Sequence, residues 1–233
     1  MAIEGGMIDF RLPAGEARGY LAAPRGGEKG SDERRPGLIV IHEWWGLNDH
    51  IKDIAGRFAE EGYIALAPDL YGGKVTADPT EAGRLMQGLD QGRALEILNG
   101  AVEYLKGQDS VDPGKIGVTG FCMGGTYALL LACHSKDIKA SAPFYGDVPA
   151  DDEIKKLDAP VLFIGAENDP WITQDKMARL KDALGRFGKE GEVKVYSGTG
   201  HAFFNDTRPD AYDKASATDA WQQVKRFLAA HLG

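Results

Sequence analysis

Gly120-Phe121-Cys122-Met123-Gly124 sets a thiol inside a Gly-x-nucleophile-x-Gly pattern, and a thiol in that setting can attack a carbonyl carbon. Small neighbours such as Gly120, Gly124 and Gly125 are what a sharp, strained strand-to-helix turn requires. The chemistry needs two more groups, an imidazole to move the nucleophile's proton and a carboxylate to hold that imidazole in one tautomer. Gly198-Thr199-Gly200-His201 offers the imidazole and Glu167-Asn168-Asp169 the carboxylate. Asp147 and Glu167 compete for the acid role, and position favours Asp169. Metal binding is the other chemistry open to these residue types. His42-Glu43 begins an H-E-x-x-H pattern, but Gly46 stands where the second histidine belongs, and no C-x-x-C pair exists. No metal site is expected, and neither the phosphate-binding nor the dinucleotide-binding glycine loop occurs. His42, His50, His134 and His231 are assigned no chemical role.

Each of these groups needs an element that ends just before it. Short β-branched or alternating runs bounded by Gly, Pro and Asp predict eight strands. They are Ile8 to Leu12, Ala17 to Ala22, Leu38 to His42, Tyr63 to Ala67, Lys115 to Thr119, Ala140 to Phe144, Val161 to Gly165 and Glu192 to Tyr196. The tight turn Pro13-Ala14-Gly15-Glu16 pairs the first two antiparallel. Asn48 can cap a helix with Ile51, Ile54, Ala55, Phe58 and Ala59 on one face and Gly62 at its end. Further helices are read over Leu89 to Lys106, Met123 to His134, Thr173 to Phe187 and Ala211 to His231. Strands alternating with helices imply right-handed crossovers and a mainly parallel sheet covered on both faces, whose ligands bind beyond the carboxyl ends of the strands. Those ends carry His42-Glu43-Trp44-Trp45-Gly46, Cys122, Asp169 and His201.

With 233 residues, no repeat and no linker, the chain reads as one domain over 1–233. A hydrophobic fraction of 43% and a charged fraction of 27% are ordinary for a soluble globular protein, and the apolar runs are too short to span a bilayer. No basic, then apolar, leader opens the sequence, so a cytoplasmic location is expected. A net charge of -8 with interspersed signs argues against nucleic acid or an anionic membrane as partner. The mixed charges of Glu28 to Arg35 read as a solvated loop. Cys133, eleven residues after Cys122 on one helix, would sit roughly 16 Å from it, so both are expected to be free thiols, Cys133 a small core residue.

The order nucleophile, Asp, His at consecutive strand ends is the order of α/β-hydrolases. Over nearly the whole length the chain resembles the dienelactone hydrolase family. The resemblance runs through His42-Glu43, Ala67-Pro68-Asp69-Leu70-Tyr71, Gly117 to Gly125, Phe144-Tyr145-Gly146, Gly165 to Asp169 and Gly200-His201-Ala202-Phe203. It implies an α/β-hydrolase fold with a mainly parallel eight-stranded sheet and helices on both faces. It implies Cys122 as nucleophile, His201 as base, Asp169 as its orienting partner, Glu43 as a fourth residue near the thiol, and an oxyanion hole from the N–H groups of Trp44 and Met123. Family members bind a substrate carboxylate with two arginines; Arg84 could supply the first, while Asn205 occupies the second position and Arg208 follows it. Trp44, Trp45, Tyr71, Phe121, Tyr145, Trp171, Phe203 and Phe204 suggest as a group a pocket for a flat or apolar acyl or lactone ring, with Trp45, Tyr145 and Phe203 as binding residues. The expected activity is hydrolysis of small carboxylic esters or lactones through a thioester on Cys122, with no cofactor, by a monomer or weak dimer. A non-catalytic small-molecule binding protein on the same fold would need no complete Cys122, Asp169, His201 set. A thiol redox role would need a resolving cysteine within reach.

Overall fold

The computed structural model describes residues 2–25 and 34–233. Residues 28–33 of the stretch Glu28 to Arg35, expected to be a solvated loop, lie outside them. In chain order the elements are β1 (Ile3–Leu12), β2 (Gly15–Pro24), β3 (Arg35–Ile41), α1 (Asp49–Glu60), β4 (Ile64–Pro68), α2 (Pro79–Gln87), α3 (Gln91–Lys106), β5 (Val111–Phe121), α4 (Met123–His134), β6 (Ile138–Phe144), α5 (Asp151–Ile154), β7 (Val161–Ala166), α6 (Gln174–Arg186), β8 (Gly191–Tyr196) and α7 (Lys214–Leu232). All eight expected strands are present, in one sheet of order β1-β2-β4-β3-β5-β6-β7-β8. It is mixed. β1 and β2 form an antiparallel hairpin with Leu12 opposite Gly15, whose φ of 101° closes the two-residue turn Pro13-Ala14. β2 also runs antiparallel to β4, whereas β3 with β4, β6 with β7 and β7 with β8 are parallel.

The chain forms two compact units, Met1–Gly117 and Val118–Gly233. In the first, side chains alternate across β1, so Ile3 points at Gly56 of α1 while Phe10 and Leu12 point at Gly100 of α3. The two helices therefore cover opposite faces. Asn48 caps α1 as its sequence suggests, accepting the Ile51 N–H at 3.2 Å. The second unit follows the same logic at β8, where Gly191 meets Leu184 of α6 while Lys194 and Tyr196 reach Asp219 of α7 at 2.7 Å. Helix α4 is apolar all round and buried over Met123 to Cys133 except at Thr126, as a helix under the middle of a sheet must be.

Two helices escape the sequence reading. α2 has a cap, Asp78 accepting the Glu81 N–H with Pro79 in the first turn, yet only Ala82 is buried, so there is no apolar stripe to find. α5 is a single turn. Helices α3 and α7 begin two and three residues later than expected because Asp90 and Asp213 cap them from outside. Among the described residues, no helix is long and apolar enough to cross a membrane.

Candidate active site

In the second unit β5 ends at Phe121 and the chain turns at Cys122 into α4. Cys122 takes φ 55° and ψ -121°, a conformation that L residues rarely adopt. Its N–H donates to Phe144 O at 3.1 Å, and its carbonyl accepts from Gly125 N at 2.9 Å and Thr126 N at 3.2 Å. The turn is thus tied to the end of β6 on one side and to the first turn of α4 on the other. Its packing leaves no room for a Cβ at two positions. One on Gly125 would run into Phe144 O, and one on Gly146 would land in the backbone of Gly125 and Thr126. Gly146→Ala should therefore lower stability by about 2 kcal/mol or more, measured as a reduced urea midpoint at unchanged slope. Wild-type stability in this variant would mean that the turn has slack that its packing does not suggest.

His201 follows β8 across the turn Ser197 to Gly200. Its Nδ1 lies 2.6 Å from Asp169 Oδ2. Asp169 is buried just after β7, and its Oδ1 accepts the N–H groups of Trp171 at 2.9 Å and Ile172 at 3.0 Å. Burial alone would raise the Asp169 pKa, but the bonds from His201, Ile172 and Trp171 outweigh it and hold the carboxyl below its ordinary value. For His201, burial works against the charged ring, but the bond to Asp169 and then the Cys122 sulfur overcome it and push the pKa up to about 10. Asp169 and the Cys122 sulfur thus both favour the positively charged ring. The competing acids are engaged elsewhere: Asp147 pairs with Lys176 at 2.8 Å, and Glu167 accepts the Gly198 N–H at 2.8 Å.

The described non-glycine residues with positive φ are Cys122, Tyr145 (38°) and Ala202 (64°). Each such residue stores about 1–3 kcal/mol of strain. Tyr145 and Ala202 flank His201, the former through ring centroids 5.0 Å apart. Tyr145 and Phe203, expected to line a binding pocket, are completely buried. They pack on each other at 5.8 Å, and Tyr145 braces the imidazole from the protein interior. Trp171 takes a different place. It is 59% exposed, and its ring stands edge-on to His201 at 4.9 Å. The sequence names it only as one aromatic in a group; its place two residues after Asp169 is the signal that could have singled it out. Cys133 is a buried free thiol with its pKa pushed up to about 12 by burial.

In the first unit, Glu43 is buried beyond the end of β3, Trp44 is partly exposed, and Trp45 is buried edge-on against Trp44 at 4.8 Å. Arg84 projects from α2 with its side chain 74% exposed and 3.5 Å from Glu81. Arg208, in the second unit, is exposed, and its N–H donates to the carbonyl of the fully buried Asn205 at 3.1 Å. No group of three or more His, Cys, Asp or Glu among the described residues could hold a metal ion.

Residues 18–232 match the model of the dienelactone hydrolase family. The chain is 41% identical to "Protein usf" of Aquifex pyrophilus over 98% of its own length and 99% of that protein. It is 36% identical to the "Putative carboxymethylenebutenolidase" of Aquifex aeolicus, again over 98% and 99%. A crystal structure of a "Putative Dienelactone Hydrolase" from Klebsiella pneumoniae superposes with a TM-score of 0.90 at 30% identity, covering 98% of this chain and 99% of that one. A match over this length, with the eight-stranded sheet and the turn at Cys122, means that the chain is an α/β-hydrolase and belongs to the dienelactone hydrolase family.

Proposed function

We propose that this hydrolase cleaves small carboxylic esters or lactones through a thioester on Cys122. The observation that carries the reading is the His201 imidazole, hydrogen-bonded to Asp169 on one side and to the Cys122 sulfur on the other. In the first half-reaction the Cys122 sulfur attacks the carbonyl carbon, and the negative charge that builds on the carbonyl oxygen is taken by the N–H groups of Trp44 and Met123. Collapse of the tetrahedral intermediate breaks the C–O bond, and His201 delivers a proton to the departing alkoxide. In the second, His201 takes a proton from water, whose oxygen attacks the thioester and frees the acid, and the thiol is restored. Glu43 has the role of accepting the thiol proton when substrate enters and of returning it to the sulfur when the thioester is cleaved, so that His201 begins and ends the cycle protonated. These assignments for Glu43, Trp44 and Met123 rest on the family resemblance. Support for lactones as a substrate class comes from the relative named for a carboxymethylenebutenolidase activity.

Substrate charge is the finer question. The Asn205 position offers no cation, so a substrate carboxylate would have to be met by Arg84, Arg208 or both, through charge-assisted hydrogen bonds. A panel of carboxylated lactones and neutral aryl esters tests the whole reading. Hydrolysis of neither class would remove it. If an arginine reads the carboxylate, Arg84→Ala or Arg208→Ala should raise KM for the carboxylated lactone by about tenfold and leave the aryl ester unchanged. Equal KM changes for both substrates, or none, would make the two arginines surface residues and the substrate a neutral ester.

A further inference from the structure

We propose that His42 is a positioning residue for the oxyanion site: its imidazole orients and polarises the Glu43–Trp44 amide, whose N–H is read above as an oxyanion donor. The inference rests on that reading. His42 follows the last residue of β3 and is completely buried. Its Nε2 lies 3.1 Å from the Leu70 backbone nitrogen and its Nδ1 lies 2.6 Å from the Glu43 carbonyl oxygen. A backbone N–H can only donate, so Nε2 must be the bare nitrogen, and the ring's one proton sits on Nδ1 and is donated to Glu43 O. Burial pushes the imidazole pKa down despite the opposing pull of the Glu43 carbonyl and the Asp69 carboxylate. A second proton, on Nε2, would face the Leu70 N–H. The ring is therefore neutral and in a single tautomer. Tyr71 packs against it with centroids 5.0 Å apart, and Asp69 anchors the Leu70 segment by accepting the Tyr71 N–H at 2.9 Å and the Gly73 N–H at 2.5 Å.

The Glu43 carbonyl and the Trp44 N–H belong to one planar trans amide, so they point in opposite directions and turn together. Fixing the carbonyl fixes the N–H. A donor on the carbonyl oxygen also draws charge through the amide and makes its N–H a stronger donor. Leu70 N–H, the imidazole and the Glu43–Trp44 amide thus form a chain of aligned dipoles that ends at the Trp44 N–H. The carbonyl is held a second time by Gly46 N at 3.3 Å, in a turn that depends on the φ of 89° at Gly46. His42 is assigned to the oxyanion donor and His201 to proton transfer, which separates the two contributions.

The test compares wild type with His42→Gln, which can donate to Glu43 O and accept from Leu70 N–H, and His42→Leu, which fills the space and does neither. An aryl trifluoromethyl ketone serves as the probe, because addition of the Cys122 thiolate to its carbonyl carbon gives a tetrahedral adduct with the same oxyanion. His42→Leu should lower kcat for an aryl ester and ketone affinity together, by about 10- to 100-fold, with KM and the rate of Cys122 alkylation by iodoacetamide unchanged. His42→Gln should recover most of both losses. Loss of alkylation in step with kcat, unchanged ketone affinity, or a glutamine no better than leucine would overturn the proposal. Trp44→Pro, which deletes the amide hydrogen itself, separates the two levels. Loss in Trp44→Pro with full kcat in His42→Leu overturns the role of His42 alone, whereas full kcat in Trp44→Pro overturns the oxyanion reading as well. Should His42→Leu fail to fold, the wild-type nitrogen resonances decide: at neutral pH His42 should have Nδ1 protonated and Nε2 bare, and the opposite tautomer would overturn the proposal.

Discussion

Cys122→Ala is expected to lower kcat/KM for an aryl ester by about 10⁴-fold or more, while Cys133→Ala leaves it within about twofold of wild type. The two thiols differ in surroundings. Cys122 sits at the tip of the turn, partly accessible and beside His201, whereas Cys133 is buried in α4 with its pKa pushed up to about 12. Iodoacetamide should therefore label Cys122 and spare Cys133. Acid quenching during turnover of a slowly deacylating aryl ester should place the acyl mass on the peptide that carries Cys122. An acyl group found elsewhere, or a Cys122→Ala enzyme with wild-type turnover, would end the thioester mechanism. The same position carries a stability prediction of opposite sign. Its φ of 55° costs about 1–3 kcal/mol in any residue with a Cβ. Cys122→Gly should be inactive yet at least as stable as wild type in urea, since relief of strain offsets the extra unfolded-state entropy of glycine, about 0.4–1 kcal/mol.

The parts of this molecule that are legible in the sequence are those encoded locally. Leu38 to Ile41, Val161 to Ala166 and the other strands announce themselves because a strand buried on both faces needs β-branched or bulky residues at successive positions, and turn residues bound them. Cys122, Asp169 and His201 stand out for a related reason: each follows a strand, and in an open parallel sheet those ends converge on the ligand side. What escapes depends on partners distant in the chain. The role of His42 is invisible in His42-Glu43 because its second hydrogen bond comes from Leu70, 28 residues on. Tyr145 and Phe203 look like pocket aromatics from their neighbours, and that both are completely buried, Tyr145 against His201 and Phe121 and Phe203 against Tyr196, follows only from packing. Helix α2 is missed for the opposite reason. Its cap is local and readable, but a helix that buries little more than Ala82 has no periodic stripe, and periodicity is what a sequence reading looks for.

Asp169→Asn should cost about 10³-fold or more in kcat, and the direction of its amide explains why the loss exceeds that of a missing charge. Asp169 Oδ1 accepts two backbone N–H groups, from Trp171 and Ile172, while Oδ2 faces His201 Nδ1. An asparagine keeps both backbone bonds only by leaving its oxygen on that side, which turns its NH₂ toward Nδ1. Nδ1 must then accept, and the ring proton moves to Nε2, where it confronts Cys122. A neutral ring in that tautomer cannot take the proton of the water that attacks the thioester. Asp169→Ala removes the constraint and leaves the ring free to choose its tautomer, but it strips the Trp171 and Ile172 N–H groups of their acceptor and should be the less stable of the two. Asparagine should thus be the better folded variant without being the better enzyme, an ordering that a loss of structure alone would not produce. The pH dependence has a definite sign. With a folded pKa raised to about 10, protonated His201 contributes stability that is fully present below its ordinary pKa of 6.5 and is lost as pH rises through about 10. In Asp169→Asn the largest favourable cause of that shift is gone, so the decline in urea stability between those limits should flatten, and alkylation of Cys122 at neutral pH should slow as the imidazolium partner is lost. An Asp169→Asn enzyme with more than about a tenth of wild-type kcat, or with an unchanged pH profile of alkylation, would show that Asp169 does not set the tautomer of His201.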